Sequence, residues 1–397
     1  MINPESFLDI EIVGGGASAT LVLTHLSKYG KAAKIRRITV WDREGRFAHG
    51  IAYDTQNPLH LLNVRANNMS AFPDDKTHFV YWLAENDHAY KDTDFVPRMI
   101  YAKYLKSLWD SAIQNLESLG CEIILKNESF NTGAAPIKII ATGNAFPFSP
   151  RGADQLTISD GYHANPWSLN YNILKGHVAI AGTGLSMVDT IMALESADFE
   201  GQVTAVSRHG FLPAAHDAPG TYPCFYRPEN FPKTVLQLFM DIRAHVKNAA
   251  TQNIPWQAVI DSLRSVTNPI WISLSEAEKK KMKRLGALWN IHRHRMAPEA
   301  ACIIEKWKKT GKLKIVRDHI EHVEKGINII CRKSLYKADH MINCLGYGSD
   351  LRFKYDFAQE KSGVFALGPV LSGLYPETTA MPEIRAQAER IANEILK

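Results

Sequence analysis

Gly14, Gly16 and Ala19 stand at G-x-G-x-x-A spacing within IEIVGGGASAT. A short apolar run, Ile10, Ile12 and Val13, precedes them, and a helical pattern, LVLTHLSKYG, follows. The chemistry this arrangement serves is dinucleotide binding. Gly14 permits the tight turn, Gly16 lets backbone approach a pyrophosphate, and Ala19 allows the helix to lie close to its strand. The helix N-terminus, with Ser18 in its first turn, offers N–H groups and a partial positive charge to phosphate. The next strand, ITVWD, ends in Asp42 beside Arg43. An acid at that place accepts hydrogen bonds from a ribose hydroxyl pair.

The order returns at Val178 in VAIAGTGLSMVD, with Gly182, Gly184 and Ser186. Here the following strand, QVTAVSRHG, ends not in an acid but in Ser207, Arg208 and His209. An arginine attracts a 2′-phosphate that an acid would repel, so NADPH is expected over NADH. The third small position holds the bulky Met187, which is expected to set the helix further from its strand or to move the pyrophosphate. Two turns imply two dinucleotides: FAD at the first, a nicotinamide at the second, with a hydride passed between them.

The elements that must position these turns follow from the rest of the chain. IKIIATG, carrying Thr142 and Gly143, would close the first half of the FAD domain. DHMINCLGYG would lead back into it, and SGVFALGPV would supply a last strand ending in Gly368 and Pro369. A closing helix, MPEIRAQAERIANEIL, has Pro382 and Glu383 in its first turn, where both are favourable. The fold expected is α/β, with two Rossmann-like dinucleotide-binding domains, the second inserted in the first. The boundaries predicted are 1–168 and 345–397 for the FAD domain and 169–344 for the nicotinamide domain. Within the insert, 228–311 reads as a helical subdomain, from the spacing in TVLQLFMDIRAHV and WQAVIDSLRSV.

Composition is consistent with a soluble, cytoplasmic globular enzyme. The 397 residues suit two or three domains; 45% are hydrophobic and 22% charged, and the net charge is only +5. The densest basic stretch, KKKMKR at Lys279 to Arg284, reads as a solvated helix face, not a nucleic-acid surface. No run approaches the roughly 18 apolar residues of a membrane helix. The five cysteines include no C-x-x-C pair, so neither a zinc site nor the redox pair of a disulfide reductase is expected.

Taken together, GGGASAT, HGIAYDT, HLLNVRANNMSAF, AGTGLSMVDT, SRHGFLP, HRHRMAPE and ALGP with ETTAMPEIRAQA resemble a family of FAD/NAD(P)-binding proteins over nearly the whole chain. The layout is also similar to flavoprotein monooxygenases of the two-dinucleotide type, N-hydroxylating ones included. There an ATG-like strand end and a late GY turn mark the domain crossings; here these are Ala141-Thr142-Gly143 and Gly346-Tyr347. The resemblance implies a flavin-dependent oxidoreductase of a small molecule and leaves the substrate and oligomeric state open.

For the chemistry itself, the amide-rich loop NVRANNMSAF is the candidate lining of the flavin ring. Asn68 and Asn63 are the catalytic candidates, with Arg65, Asn67 and Met69 as cofactor contacts. His292-Arg293-His294-Arg295 reads either as an anion site or as a surface helix end. His216 and Asp217 could line the nicotinamide side, though a histidine there is more often a loop hydrogen-bonder. A reductase or dehydrogenase without oxygen insertion shares the cofactor motifs. A non-enzymatic flavin-binding sensor is the reading that Met187 favours.

Overall fold

The computed structural model describes residues 7–28, 32, 34–144, 147–347, 360 and 362–397. Tyr29 and Gly30 of the first helical pattern and Gly348 of the late glycine turn lie outside the described residues. The chain divides into two compact units: Met1–Pro58 with Val64–Phe146 and Gly348–Lys397, and Leu59–Asn63 with Pro147–Tyr347.

The first unit is a parallel sheet flanked by helices. Its strands are β1 (Leu8–Val13), β2 (Ile35–Trp41), β3 (Glu122–Lys126), β4 (Ile137–Ile140) and β13 (Val364–Ala366), in the order β13-β4-β1-β2-β3. Every pairing is parallel. Ile10 and Ile12 of β1 are fully or almost fully buried, as a sheet covered on its face requires. Three helices belong to this unit's core: α1 (Ala17–Lys28), α3 (Arg98–Ser118) and α10 (Met381–Ile395), joined by the short α2 (His78–Glu85). The apolar side of α10 repeats at helical spacing, with Ile384, Ala388, Ile391 and Ala392 buried.

The second unit repeats the plan. Its sheet contains β5 (Tyr162–His163), β6 (His177–Ala181), β7 (Gln202–Ser207), β8 (Leu313–Arg317) and β12 (His340–Asn343), ordered β5-β12-β6-β7-β8 and again parallel. The helix after β6 is α4 (Leu185–Ser196). Because β5 pairs with β12, residues 147–168 lie with this unit, whereas the sequence boundary at 168 assigned them to the first. A separate antiparallel meander of β9 (Ile320–Glu324), β10 (Asn328–Cys331) and β11 (Leu335–Lys337) adds its own apolar layer.

Between β7 and β8 run α5 (Val235–Thr251), α6 (Trp256–Ser262), α7 (Thr267–Ser273), α8 (Glu276–Arg293) and α9 (Pro298–Lys309). The first four share a core of Val235, Leu238, Ile242, Ile260, Ile270, Met282 and Trp289. Lys279 and Lys281 on α8 pair with Glu276 and Glu278 one turn back, the pattern of a solvated helix face. Among the described residues no helix is long and apolar enough to cross a membrane.

Candidate functional site

In each unit the strand order reverses beside the strand that carries the glycine turn, and open α/β sheets bind ligands at that point. The two turns share one construction. Gly14 has φ +104°, and a Cβ there would stand 2.3 Å from the Ala141 carbonyl oxygen at the end of β4. Gly182 has φ +102°, and its Cβ would stand 2.4 Å from the Cys344 oxygen at the end of β12. Both positions therefore require glycine twice over, for the left-handed backbone and for the neighbouring strand end.

Beyond that shared residue the turns diverge. A Cβ on Gly15 would strike the Phe47 ring at 2.6 Å, and one on Gly16 would stand 3.2 Å from Gly50 Cα. The side chain that Gly16 lacks thus makes room for the HGIAYDT loop, not only for a ligand. Asp42 ties the glycine turn to the segment after β2: its Oδ2 accepts from the Gly15 N–H (3.0 Å), and its Oδ1 from those of Glu44 (3.0 Å) and Arg46 (3.1 Å). Ala19 is wholly buried beneath the helix start. Ser18 is buried as well, and a Cβ on Gly368 (φ +77°) would sit 2.7 Å from its Oγ. Gly14, Ser18, Ala141-Thr142 and Gly368-Pro369, from three distant parts of the sequence, are therefore brought together at the C-terminal ends of β1, β4 and β13. Thr142 and Arg43 are exposed, and Gly143 has open space at its Cβ position.

At the second turn Gly184 caps α4 with nothing within 4 Å of a Cβ. The Met187 side chain is fully buried in a core cluster with Val178, Ile180, Ile191 and Ile304. Ser186 is half-buried, and its carbonyl accepts from Thr190 Oγ1 at 2.9 Å. Thr183 and Ser207 share a hydrogen bond of 2.8 Å, and Ser207 Oγ accepts from the Gly210 N–H at 3.1 Å. The strand end is thereby folded into a turn that leaves Arg208 and His209 exposed, His209 stacking on Phe211 at 5.4 Å.

The amide loop is divided between the units. Ala66–Asn68 form a 3-10 turn in the first, with Asn68 exposed and its Nδ2 donating to Asn67 Oδ1 at 3.0 Å. Met69 is buried. Arg65 donates to the Thr93 carbonyl and lies over the Phe95 ring. Asn63 falls in the second unit, where its carbonyl accepts from His216 Nε2 at 3.0 Å.

Arg295 donates to His216 Nδ1 at 3.3 Å, which requires the proton on Nε2. His216 is thus a loop hydrogen-bonder. Sequence reasoning placed the HRHR cluster on the surface or at an anion. Instead Arg293 and Arg295 are 4% and 1% exposed, and Arg295 reaches Asp261 Oδ2 at 2.6 Å. Burial, with Arg293, Arg264 and Arg295 around it, pushes the His294 pKa down to about 3, so that ring stays neutral. The cluster joins the end of α8 to α6 and to the loop at His216.

All five cysteines are free thiols. Burial raises Cys121 and Cys331 to about 11 and Cys344 to about 12, so these three are protonated at neutral pH.

Residues 11–128, less than half of the chain, match the FAD-NAD(P)-binding family model. The whole chain has the fold of two-dinucleotide flavoprotein oxidoreductases. An ornithine hydroxylase from Pseudomonas aeruginosa superposes with a TM-score of 0.65 at 14% identity, over 98% of this chain and 99% of that one. An ornithine N-hydroxylase from Kutzneria sp. 744, in a complex with reduced FAD, NADP+ and L-ornithine, gives 0.59 at 13%, over 98% and 99%. A thioredoxin reductase from T. acidophilum gives 0.51 at 12%, over 99% and 98%. No curated protein sequence matches the chain.

Proposed function

We propose that the protein is an FAD-dependent monooxygenase of small molecules, reduced by NADPH, with the nitrogen of an amine as the atom it hydroxylates. One observation carries the reading: a single chain holds two glycine turns that share a left-handed first glycine against a neighbouring strand end, each at the reversal point of its own parallel sheet. The first fits FAD, with Gly14, Gly16, Ser18 and Ala19 under the pyrophosphate. There Asp42, Arg43, Thr142 and Gly143 border the nucleotide, and Gly368 and Pro369 lie beside the helix start. The second fits NADPH, with Gly182, Gly184 and Ser186 at the phosphates and Arg208 and His209 toward the 2′-phosphate. Bound FAD would supply the two-electron chemistry, taking hydride from NADPH and delivering electrons to oxygen.

The chain's own residues bind, orient and shield. Arg208 supplies a charge-assisted contact to a 2′-phosphate. Asn67, Asn68 and Met69 present amide groups and an apolar side chain to the ring, and Asn63 is the second amide candidate. A cytoplasmic location suits a nicotinamide-linked enzyme of this composition.

Anaerobic visible spectra before and after NADPH test this reading. Oxidised flavin bands that bleach on addition support it; a protein that takes up no FAD overturns it. Hydroxylamine formation from candidate amines, measured against peroxide release, separates a monooxygenase from a reductase without oxygen insertion. A dithiol reductase is the weaker reading, because the sequence offers no C-x-x-C pair to serve as its redox couple.

A further inference from the structure

The loop from Asn68 to Ala71 is held by side chains from three helices. Arg385 of α10 donates to the carbonyls of Asn68 (3.3 Å) and Ser70 (2.8 Å). Tyr101 of α3 donates its hydroxyl to the Met69 carbonyl at 2.9 Å. Tyr104, also of α3, accepts from the Ala71 N–H at 3.1 Å, and His25 of α1 meets the Ala71 carbonyl at 3.1 Å. These partners are themselves buried: Tyr101, Tyr104 and His25 completely, Arg385 at 7% exposure.

A peptide unit is planar, so fixing its carbonyl also fixes the opposite direction of its N–H. Three consecutive planes can be followed here. In the plane joining Asn68 to Met69, the carbonyl meets Arg385 and the Met69 N–H donates to Ala66 at 3.0 Å. In the plane joining Ser70 to Ala71, the carbonyl meets Arg385 and the N–H meets Tyr104. In the middle plane Tyr101 holds the Met69 carbonyl, while the Ser70 N–H donates to none of the described residues. The flanking N–H groups of Ala66, Asn67, Asn68 and Phe72 all have acceptors. Ser70 is 1% exposed, and its hydroxyl is turned to the carbonyls of Phe72 and Asp75. A buried N–H without an acceptor is rare, because leaving it unpaired forfeits a hydrogen bond to water.

We propose that the Ser70 main-chain N–H is a hydrogen-bond donor to the flavin ring, and that Tyr101 and Arg385 are positioning residues that hold its peptide plane for that contact. The inference rests on the FAD reading of the first unit. A flavin ring carries carbonyl oxygens and ring nitrogens that accept such a bond, whereas the adenine diphosphate half is served by the glycine turn. The donor therefore acts on the isoalloxazine half alone.

The test compares FAD with ADP on the full-length protein stripped of flavin, by calorimetry and by the visible spectrum of the bound flavin. Tyr101→Phe deletes one hydroxyl from the clamp; Arg385→Lys replaces the guanidinium that spans two carbonyls. Each folded variant is expected to bind FAD about tenfold more weakly, with a shifted visible band and unchanged ADP affinity. Unchanged FAD affinity and spectrum in Tyr101→Phe would overturn the proposal. Equal loss of FAD and ADP would also do so, by reducing the clamp to a general structural role. A wild-type protein that binds ADP but not FAD removes the flavin reading itself, a result distinct from either of these.

Discussion

The two glycine turns are built alike at their first residue and oppositely thereafter. In the first unit Gly15 and Gly16 face Phe47 and Gly50, and the Asp42 carboxylate is engaged by three backbone N–H groups. Protein closes over that turn. In the second unit Gly184 faces open space, and Arg208 and His209 stand exposed at the strand end. On the proposed function, the closed turn suits a cofactor that stays and the open turn one that leaves each cycle.

The largest expected effect breaks the first turn. Gly14→Ala puts a Cβ into the Ala141 carbonyl at a left-handed residue, and should lower stability by about 3 kcal/mol or more, read as a fall in melting temperature with loss of FAD. Gly184→Ala, where a Cβ meets nothing, should change stability by less than about 1 kcal/mol. Equal damage from Gly16→Ala, whose Cβ would stand 3.2 Å from Gly50 Cα, and from Gly184→Ala would abolish the contrast between a closed and an open turn.

Next in size is Arg208→Ala. Loss of a charge-assisted phosphate contact should raise KM for NADPH about tenfold to a hundredfold and leave KM for NADH nearly unchanged, as steady-state kinetics with each cofactor would show. An equal change for both would remove the second turn's claim to the 2′-phosphate.

Smaller still is a dependence on pH that sharpens the account of the first unit. Burial lowers the pKa of His25 to about 4, against 6.5 in the unfolded chain. Between those values the unfolded state binds the extra proton, so stability is full above about pH 6.5 and declines as pH falls toward 4. His25→Gln should flatten melting temperature against pH in that window, with the amide still able to meet the Ala71 carbonyl. A slope unaltered by the substitution would mean that His25 does not carry the titration. His163, also lowered to about 4 by burial, provides the matching test in the second unit.

Much of the fold was legible because it depends on local rules. ITVWD, QVTAVS and IKII read as strands, and MPEIRAQAERIANEIL as a helix, from apolar periodicity alone. The site was legible in part. Its glycines were visible because a left-handed turn pressed against a strand end admits little else. The roles of the polar residues were not. Arg65, His216 and the HRHR cluster carry the residue types of a ligand site, yet each serves an internal contact: Thr93 and Phe95 for Arg65, Asn63 for His216, and Asp261 for Arg293 and Arg295.

By itself the sequence determined that the chain makes two nucleotide-type turns, in which order, and with an acid after one and an arginine after the other. These are properties of neighbouring residues, fixed by backbone sterics and by the alternation of apolar side chains. Only the tertiary structure decided that Ser18 meets Gly368, that Arg385 and Tyr101 grip the carbonyls of residues 68–70, and that one N–H in that loop is left over. Hydrogen bonds between residues more than 300 positions apart leave no period and no spacing in a sequence. They exist because closing the sheet around β1 brings α10 back against a loop that was laid down near the start of the chain.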